Sequence, residues 1–395
     1  MRIPPYNRKY LSLLLVCLLS TIIIAKLALY PAIFNGIELG YPKVDDVSET
    51  MKTRDKKTIL LWNTFFGDPT FSIGMLGSAV FHQTRCLYTC HLTNNRSKLP
   101  EADAILVHTY NMAPSRQNST MPHRINTKQI FVFFIVESPL RSYEGFFETE
   151  FTFADIFNLT FTYLRSPNTD IYTPLGGVEK KSVPDEANFI GLDQVLKKSK
   201  MVAWFVSNCQ APSARIEYVR RLAQHVDVDV YGKCGNLTCE MGNGSCLNQV
   251  KRTYMFYLAF ENSFCRDYAT EKVFRTLKMD MVPILYGYVD FARILPPKSY
   301  IDVRDYESPR KLARHLHELN KNRTKYKEYF DWKKYYNVLM EPDYRAFGFC
   351  RLCSILNDKQ YNYKKKFDPI NDYWNPKELC LSDDEEKRAV HLNDV

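Results

Sequence analysis

The sequence lacks several features that mark common classes of protein. It has no long low-complexity tract, and 45% of its 395 residues are hydrophobic and 25% charged, a globular composition with length enough for two ordinary domains. No Lys/Arg-rich tract with interleaved aromatic residues occurs, so nucleic-acid binding is disfavoured, although the net charge of +9 suits an anionic ligand. Neither G-x-G-x-x-G nor a P-loop occurs, so neither a dinucleotide enzyme nor a P-loop NTPase is supported.

One long hydrophobic run is present, near the N-terminus. Residues 11–30, LSLLLVCLLSTIIIAKLALY, are almost wholly apolar, and a helix needs about 20 residues to cross a bilayer. Basic residues precede the run, which predicts a cytosolic tail at 1–10, a transmembrane signal-anchor and a lumenal remainder. A cleaved signal peptide is the alternative, but the run is long for one and no small-x-small site follows it. The polar, weakly periodic stretch 31–57 is interpreted as a stem.

Ten of the eleven cysteines lie beyond the hydrophobic run, in agreement with an oxidising compartment. Cys86, Cys90, Cys350 and Cys353 would also suit zinc, but disulfides are favoured in a lumenal domain, and sequence alone leaves the connectivity open. The disulfide candidates are Cys86, Cys90, Cys209, Cys234, Cys239, Cys246, Cys265, Cys350 and Cys353. Sequons for N-glycosylation begin at Asn95, Asn118, Asn158, Asn236, Asn243 and Asn322.

The first half of the predicted lumenal region contains short apolar runs typical of buried strands. They cover residues 58–62, 104–108 and 129–136. Glu137 stands where the third run stops, and Pro139 discourages its continuation. This predicts a carboxylate at the end of a buried strand.

The second half contains two strand–helix–strand patterns. The first has strands at 201–208 and 227–232 around a helix in APSARIEYVRRLAQHV, whose apolar residues recur at three- and four-residue spacing. In the second, the strand YMFYLAF is followed by a helix from about Asp267 to Lys278, with Asp267 as its N-cap, and by the strand MVPILYG. Two such units in a row predict a parallel sheet with helices on its faces.

Polar residues gather where the strands of this second sheet end. Ligands of parallel sheets bind outside the carboxyl ends of the strands, and helix N-termini favour anions. Two basic residues near helix starts would add full charges, so the predicted edge suits a diphosphate. The pair Asp227-x-Asp229 lies inside a strand pattern and is a poor candidate for a metal site. The edge residues are Ser207, Asn208, Arg215, Glu261, Asn262, Glu271 and Lys272.

At these residues the sequence resembles the α1,3-fucosyltransferases, family 10 of the glycosyltransferases. The resemblance rests on FFIVESP, FNLTFTYLRSPNTDIYTPLG, VAWFVSNCQAPSAR, VDVYGKCG and above all MFYLAFENSFCRDYATEKVFRTLKMDMVPILYG, followed by LPPKSYIDV, YFDWKKYY and CRLC. The cysteines of SNC, GKCG and CRLC are similar to those of invertebrate members. The resemblance implies an α/β fold of the GT-B type, with two Rossmann-like domains facing a cleft. These are an acceptor-side domain at 58–195 and a GDP-fucose domain at 196–345, with a disulfide-linked C-terminal segment at 346–395 packing back.

The resemblance also implies roles for individual residues. Arg215 and Lys272 would bind the pyrophosphate of GDP-fucose and Glu271 the ribose hydroxyls. Ser207 would lie near the phosphates, and Asn262 and Tyr268 would line the nucleotide-sugar site. Glu137 matches the proposed general base of an inverting, single-displacement transfer to the 3-hydroxyl of an N-acetylglucosamine. The charges of Arg215 and Lys272 can do much of what a metal does elsewhere, so no essential protein-bound metal is predicted, with manganese at most stimulatory. The expected location is the Golgi membrane.

Each of these residues also has a structural interpretation. Glu137 could be a helix cap, Lys272 could pair with Glu271, and Tyr268 could pack against the sheet. The segment 163–176 departs from the family pattern, being two residues longer and one arginine short, which leaves the acceptor open: an N-glycan core or a LacNAc- or LacdiNAc-type antenna. The same departure supports an alternative function, a catalytically inactive lumenal glycan- or nucleotide-binding module.

Overall fold

The computed structural model describes residues 56–112, 120–146, 156–186, 192–239, 244–361 and 370–392. All of them belong to one unit, Thr50–Val395. The predicted membrane span at 11–30 and the predicted stem at 31–57 lie outside the described residues, except for the last two stem positions. No helix in the described ranges is long and apolar enough to span a bilayer.

Two parallel sheets dominate the described part of the chain. The strands are β1 (Thr58–Leu61), β2 (His91–Thr93), β3 (Ala104–His108), β4 (Ile130–Ile135), β5 (Leu159–Thr162), β6 (Ile171–Tyr172), β7 (Gly176–Lys180), β8 (Lys200–Phe205), β9 (Val228–Tyr231), β10 (Tyr254–Phe260), β11 (Val282–Tyr286), β12 (Ile301–Asp302) and β13 (Tyr336–Met340). The first sheet has the order β2-β1-β3-β4-β5-β6 and the second the order β12-β11-β10-β8-β9, while β7 and β13 form a small antiparallel pair.

Helices alternate with the strands and cover the sheets. They are α1 (Ala79–Gln83), α2 (Pro139–Phe146), α3 (Leu192–Leu196), α4 (Arg215–Leu222), α5 (Gly244–Thr253), α6 (Glu271–Lys278), α7 (Phe291–Ile294), α8 (Pro309–Lys321), α9 (Arg323–Glu328), α10 (Glu341–Asn357), α11 (Ile370–Tyr373), α12 (Pro376–Leu379) and α13 (Asp383–Ala389). Strand β4 is buried along its whole length, as a strand with both faces covered must be. The α/β class with parallel sheets is therefore confirmed.

The start of helix α6 corrects one expectation. Asp267 is not its N-cap: the helix begins at Glu271, and Thr270 occupies the N-cap position. Asp267 has a φ of +60°, and one of its carboxylate oxygens accepts a hydrogen bond from the backbone N–H of Arg165 at 3.1 Å. The chain leaving β10 pairs with the C-terminal tail at Cys265 and Cys380, and this excursion delays the helix by four residues.

Ten cysteines form five disulfides in the described part of the chain. The pairs are Cys86–Cys350, Cys90–Cys353, Cys209–Cys234, Cys239–Cys246 and Cys265–Cys380. All nine candidates named from the sequence are bonded, and the zinc alternative for Cys86, Cys90, Cys350 and Cys353 is wrong. Cys380, the partner of Cys265, was not among the predicted disulfide cysteines. Nine cysteines cannot all pair with one another, so a tenth was needed. Two of the disulfides link helix α10 to the segment just before strand β2. Another links the C-terminal tail to the loop after β10.

Candidate functional site

The carboxyl ends of the two sheets meet at Glu137. This half-buried residue follows strand β4, and the hydroxyl of Tyr268, from the loop after β10, donates a hydrogen bond to its Oε1 at 2.6 Å. The neighbouring Ser138 and Ser263 hydroxyls, both buried, join the same two segments at 2.7 Å. Burial, together with the charge of Glu137, raises the pKa of Tyr268 well above its usual value. Tyr268 therefore stays protonated and donates to the carboxylate.

Glu261 is the centre of the polar cluster that follows β10. Its side chain is fully buried, and one carboxylate oxygen accepts hydrogen bonds from the backbone N–H of Thr270 at 2.8 Å and from its hydroxyl at 2.9 Å. The Lys272 ammonium group donates to the other oxygen at 3.1 Å. Burial raises the pKa of Glu261, and the nearby charge of Lys272 opposes that shift. The carboxylate thereby fixes the start of helix α6 relative to strand β10.

Lys272 reaches beyond this pair toward the surface. Its ammonium also contacts the hydroxyl of Thr270 at 2.7 Å and a carboxylate oxygen of Glu271 at 3.6 Å, and 27% of its side chain is exposed. Burial favours a lower pKa for Lys272, but Glu261 and Glu271 outweigh it and raise the pKa. Burial likewise acts to raise the pKa of Glu271, yet Lys272 and Arg275 lower it. Both Lys272 and Glu271 are therefore charged at neutral pH.

Arg215 is buried at the first position of helix α4. Its guanidinium donates to the backbone carbonyls of Phe260 and Asn208, each at 3.0 Å, while its Nε has no hydrogen-bond partner among the described residues. Burial lowers the pKa of Arg215, against the effect of Glu261, but a guanidinium remains protonated in proteins. A buried cation with a free donor next to the Glu261–Lys272 pair suits an anion.

Asn262, in the loop after β10, carries a second unsatisfied polar atom. Its Oδ1 is buried and has no hydrogen-bond partner within the described ranges. Buried polar atoms are nearly always paired, so an unpaired one in such a cluster suits a ligand that donates a hydrogen bond. Of the predicted site residues, Glu137, Arg215, Asn262, Tyr268, Glu271 and Lys272 come together around the junction of the sheets.

Ser207 lies in the loop between β8 and α4 and is exposed. The neighbouring strand β9 ends at Tyr231, and the next residue, Gly232, has a φ of +96°. A Cβ at Gly232 would meet the Ser207 Oγ at 2.9 Å. The glycine thus lets these two strand ends approach each other. Asp229, by contrast, pairs with Lys200 at 2.6 Å, and the described residues contain no group of three or more potential metal ligands. That no protein-bound metal is essential remains a prediction.

A stack of aromatic rings beside this cluster went unrecognised in the sequence. Phe205 and Tyr231 stack at 4.6 Å between ring centroids with an interplanar angle of 10°, and Tyr257 continues the stack at 6.0 Å. Burial raises the pKa of Tyr257 to about 12, and the charges of Lys272 and Glu271 also act on its hydroxyl. All three rings are half-buried. Only the pairing of strands β8, β9 and β10 brings the three rings together, so no local sequence pattern marks the stack.

The segment that departs from the family pattern adjoins the donor-side loop. The ring of Tyr163 lies 5.2 Å from that of Tyr268, and the Arg165 guanidinium lies 4.6 Å from the ring centre of Tyr172. The Arg165 backbone also holds Asp267, as described above. The change at 163–176 thus falls next to Tyr268 rather than away from the candidate site.

The described sequons differ in their surroundings. Asn95, Asn236 and Asn322 are exposed. The Asn158 side-chain oxygen instead accepts hydrogen bonds from the Phe131 backbone at 2.9 Å and from Arg124 at 3.0 Å, which ties this side chain to the sheet. The sequons at Asn118 and Asn243 lie outside the described residues.

Models of one protein family match both halves of the chain. The family model "Fucosyltransferase, N-terminal" matches residues 54–176, and "Glycosyltransferase family 10 (fucosyltransferase) C-term" matches 195–373. The chain is 33% identical over 348 residues to alpha-(1,3)-fucosyltransferase C of Drosophila melanogaster, covering 80% of this chain and 77% of that protein. It is 32% identical over 341 residues to glycoprotein 3-alpha-L-fucosyltransferase A of the same species, covering 85% of this chain and 63% of that protein.

The fold has a counterpart among solved structures. A crystal structure of an alpha1,3-fucosyltransferase aligns with a TM-score of 0.53 at 17% sequence identity, covering 82% of this chain and 96% of the other. At that identity the likeness concerns the fold alone, whereas the family models and relatives above concern the sequence. The chain belongs to glycosyltransferase family 10, the fucosyltransferases.

Proposed function

We propose that the protein is an inverting α1,3-fucosyltransferase that moves fucose from GDP-β-L-fucose to the 3-hydroxyl of an N-acetylglucosamine in a glycoprotein glycan. One observation carries the proposal: Glu137, at the end of the first sheet, accepts a hydrogen bond from Tyr268 in the segment that follows strand β10 of the second sheet. Arg215 and Lys272 bind the start of that same segment, at the Phe260 carbonyl and the Glu261 carboxylate. A base and a diphosphate-binding cluster on opposite sides of one junction are what transfer from a nucleotide sugar requires.

The donor is proposed to lie along the carboxyl edge of the second sheet. The free Nε of Arg215 and the ammonium of Lys272 would bind the diphosphate. The buried Oδ1 of Asn262 would accept a hydrogen bond from a hydroxyl of GDP-fucose. Glu271, charged and half exposed, would accept the ribose hydroxyls. An outer ring of the stack of Phe205, Tyr231 and Tyr257 offers an aromatic face for the guanine.

The transfer is proposed to occur in a single displacement. The acceptor 3-hydroxyl oxygen forms a bond to the anomeric carbon of fucose while the bond from that carbon to the diphosphate breaks. The hydroxyl proton passes to the carboxylate of Glu137. General-base catalysis of this kind raises the rate about 10²- to 10⁴-fold. GDP leaves with the electron pair of the broken bond, and Arg215 and Lys272 stabilise the developing negative charge. These two cations act where a metal acts in other transferases, so no essential protein-bound metal is proposed, and manganese would at most stimulate.

The cellular setting follows from the sequence. An uncleaved anchor at 11–30 with a basic residue cluster before it gives a single-pass, type II protein with its catalytic part in the lumen, proposed to be that of the Golgi. The five disulfides support an oxidising compartment. The N-glycan core and the LacNAc- or LacdiNAc-type antenna are the two acceptor classes to compare.

The test uses the full 395-residue chain and its Glu137→Gln variant with GDP-fucose and defined N-glycans of both acceptor classes. We expect the wild type to add one fucose to one class, seen as a glycan mass shift, and Glu137→Gln to lower kcat about 10²- to 10⁴-fold with GDP affinity unchanged within about twofold. Glu101→Gln, at an exposed position of the same half, is the matched control and should retain activity. GDP-fucose binding without transfer to any acceptor, unaltered by Glu137→Gln, would instead identify an inactive binding module.

A further inference from the structure

The C-terminal tail, residues 376–392, packs against the loop that carries the candidate donor residues. It lies beyond the residues that the family models match, which end at 373. The backbone N–H of Arg266 donates to the Leu379 carbonyl at 2.7 Å, and that of Leu381 donates to the Phe264 carbonyl at 3.0 Å. The Cys265–Cys380 disulfide closes the same contact. The tail thus pairs with the loop between Asn262 and Tyr268.

The same tail also contacts the second cationic element, helix α4. Glu386 of helix α13 is 1% exposed, and its Oε1 accepts hydrogen bonds from the backbone N–H of Ala214 at 2.8 Å and from the Tyr286 hydroxyl at 2.5 Å. Val390 and Leu392 are buried in the same hydrophobic cluster as α4. Ala214 directly precedes Arg215. The N-terminus of α4, expected from the sequence to face a bound anion, therefore gives its Ala214 N–H to a carboxylate of the protein itself.

Three consecutive residues at the start of α4 are each anchored by a different partner. The Ser213 hydroxyl donates to the Glu261 carbonyl at 3.1 Å, and the Arg215 guanidinium donates to the Phe260 carbonyl at 3.0 Å. The middle residue, Ala214, is anchored by Glu386. Two of the anchors come from the end of β10 and one from the tail, so the direction in which Arg215 presents its free Nε depends on both.

We propose that Glu386 is a positioning residue of the donor site, which holds the start of helix α4 so that Arg215 can meet the diphosphate. The inference rests on the proposed function, because it takes the donor to be a GDP-sugar. It gives the tail a role in donor binding rather than in covering the core alone. Glu386 does not touch the donor, and it acts through Ala214 and Arg215.

The charge on Glu386 decides how strongly it holds α4. The titratable and charged groups that act on it are Tyr286 of β11 and Asp383 and Lys387 of its own helix, with Tyr218 of α4 next to Tyr286. Burial raises the pKa of Glu386 to about 7. An ionised acceptor makes hydrogen bonds roughly twice as strong as a neutral one, so positioning strengthens as the pH rises through about 7.

Stability should depend on pH in the opposite direction. The pKa of Glu386 in the folded protein lies above its value in the unfolded chain, so folding takes up protons at this site. The resulting stabilisation is complete below the unfolded pKa and is lost as the pH rises through about 7. Because Gln does not titrate, Glu386→Gln should melt at the same or a higher temperature than the wild type at pH 8. A purely structural role would not weaken donor binding in a variant that keeps its stability.

The experiment measures GDP binding by calorimetry and thermal unfolding of the full chain at pH 6 and pH 8. We expect Glu386→Gln to weaken GDP binding about three- to tenfold at pH 8, with Tm unchanged or raised. The affinity for GDP depends on pH in part because the GDP phosphate itself titrates. Glu386→Gln should remove the remaining pH dependence of that affinity. The matched control is Glu378→Gln, an exposed position of the same tail, which should bind GDP like the wild type. Where both Gln variants transfer fucose, the KM for GDP-fucose should rise in Glu386→Gln alone.

The outcomes separate this inference from the proposed function. If the wild type binds GDP and Glu386→Gln binds it with the same affinity at both pH values, the positioning role alone is overturned. Absence of GDP binding by the wild type overturns the proposed function, and this inference with it. A loss of GDP affinity that runs parallel to a loss of thermal stability in Glu386→Gln assigns the residue to folding and also overturns the positioning role.

Discussion

At the scale of single residues, the candidate donor site is stabilised by the charges that are proposed to bind the donor. Glu261 is fully buried, and Lys272 is the cation within hydrogen-bonding distance of its carboxylate. An uncompensated buried charge costs several kcal/mol, so Lys272 has a structural task besides any task in binding. Loss of activity on mutating Lys272 would therefore be ambiguous by itself. The two tasks can be separated because Glu261 needs a cation only while it is charged.

Lys272→Ala should lower the free energy of unfolding by about 3–5 kcal/mol, because it leaves the Glu261 carboxylate buried and unpaired. Adding Glu261→Gln removes that charge and should recover most of the lost stability. GDP affinity should stay at least tenfold below wild type in the double variant, since the phosphate still lacks its cation. Urea unfolding and calorimetry with GDP measure the two quantities. Recovery of GDP affinity together with stability would show that Lys272 serves the fold alone, and Glu261→Gln alone is the control.

At the scale of elements, the end of strand β10 could be predicted well, whereas the strand predicted at 201–208 ends at Phe205 and the start of helix α6 was misplaced. Strand β10 covers Tyr254–Phe260, as predicted, because a strand buried on both faces is a continuous apolar run that stops at Glu261. The start of helix α6 could not be predicted, because the chain before it pairs with a tail more than 100 residues later in sequence. The sequence predicts correctly that polar residues around Glu261 follow the end of strand β10. It does not predict which side chains bind each other, because those partners come from tertiary contacts.

The sequence predicts that the cysteines of helix α10 form disulfides, but it does not predict their partners. The partners decide how the two disulfides together affect the free energy of unfolding. Cys86–Cys350 and Cys90–Cys353 join the same two elements across sequence separations of 264 and 263 residues. Either bond alone closes this long loop, so each makes the other partly redundant. The entropy removed from the unfolded chain grows with loop length, which makes the two bonds strongly non-additive.

Replacing one of these pairs by serine should therefore cost about 2–3 kcal/mol, because the remaining bond still closes the long loop. Replacing both pairs should cost about 5–8 kcal/mol, more than the sum of the two single effects. The measurement is urea unfolding without reductant. Removing Cys239–Cys246, with a separation of 7 residues, is the control for a short loop, and its effect should add independently. Strict additivity of the two long-range bonds would contradict their shared role.

At the scale of the whole molecule, the two sheets are arranged with their carboxyl edges in contact. Hydrogen bonds join them at the candidate site, among them one from Tyr268 to Glu137 and one between Ser138 and Ser263. The base and the donor cluster come from different sheets, so their separation depends on these contacts and not on the internal geometry of either sheet. Transfer should then be more sensitive than donor binding to anything that loosens the junction.

Ser138 and Ser263 provide the cleanest test, because neither hydroxyl is proposed to touch a substrate. Each single change to alanine leaves the other hydroxyl buried without this partner and should lower the free energy of unfolding by about 1–3 kcal/mol. The double variant should lose less than the sum of the two. In all three variants kcat should fall about tenfold while GDP affinity changes less than about twofold, because the donor cluster is intact. Ser299→Ala, which removes a buried hydroxyl within one half of the molecule, should cost similar stability and leave kcat unchanged. A fall in kcat for Ser299→Ala equal to that for Ser138→Ala would mean that lost stability, and not the junction of the sheets, controls turnover.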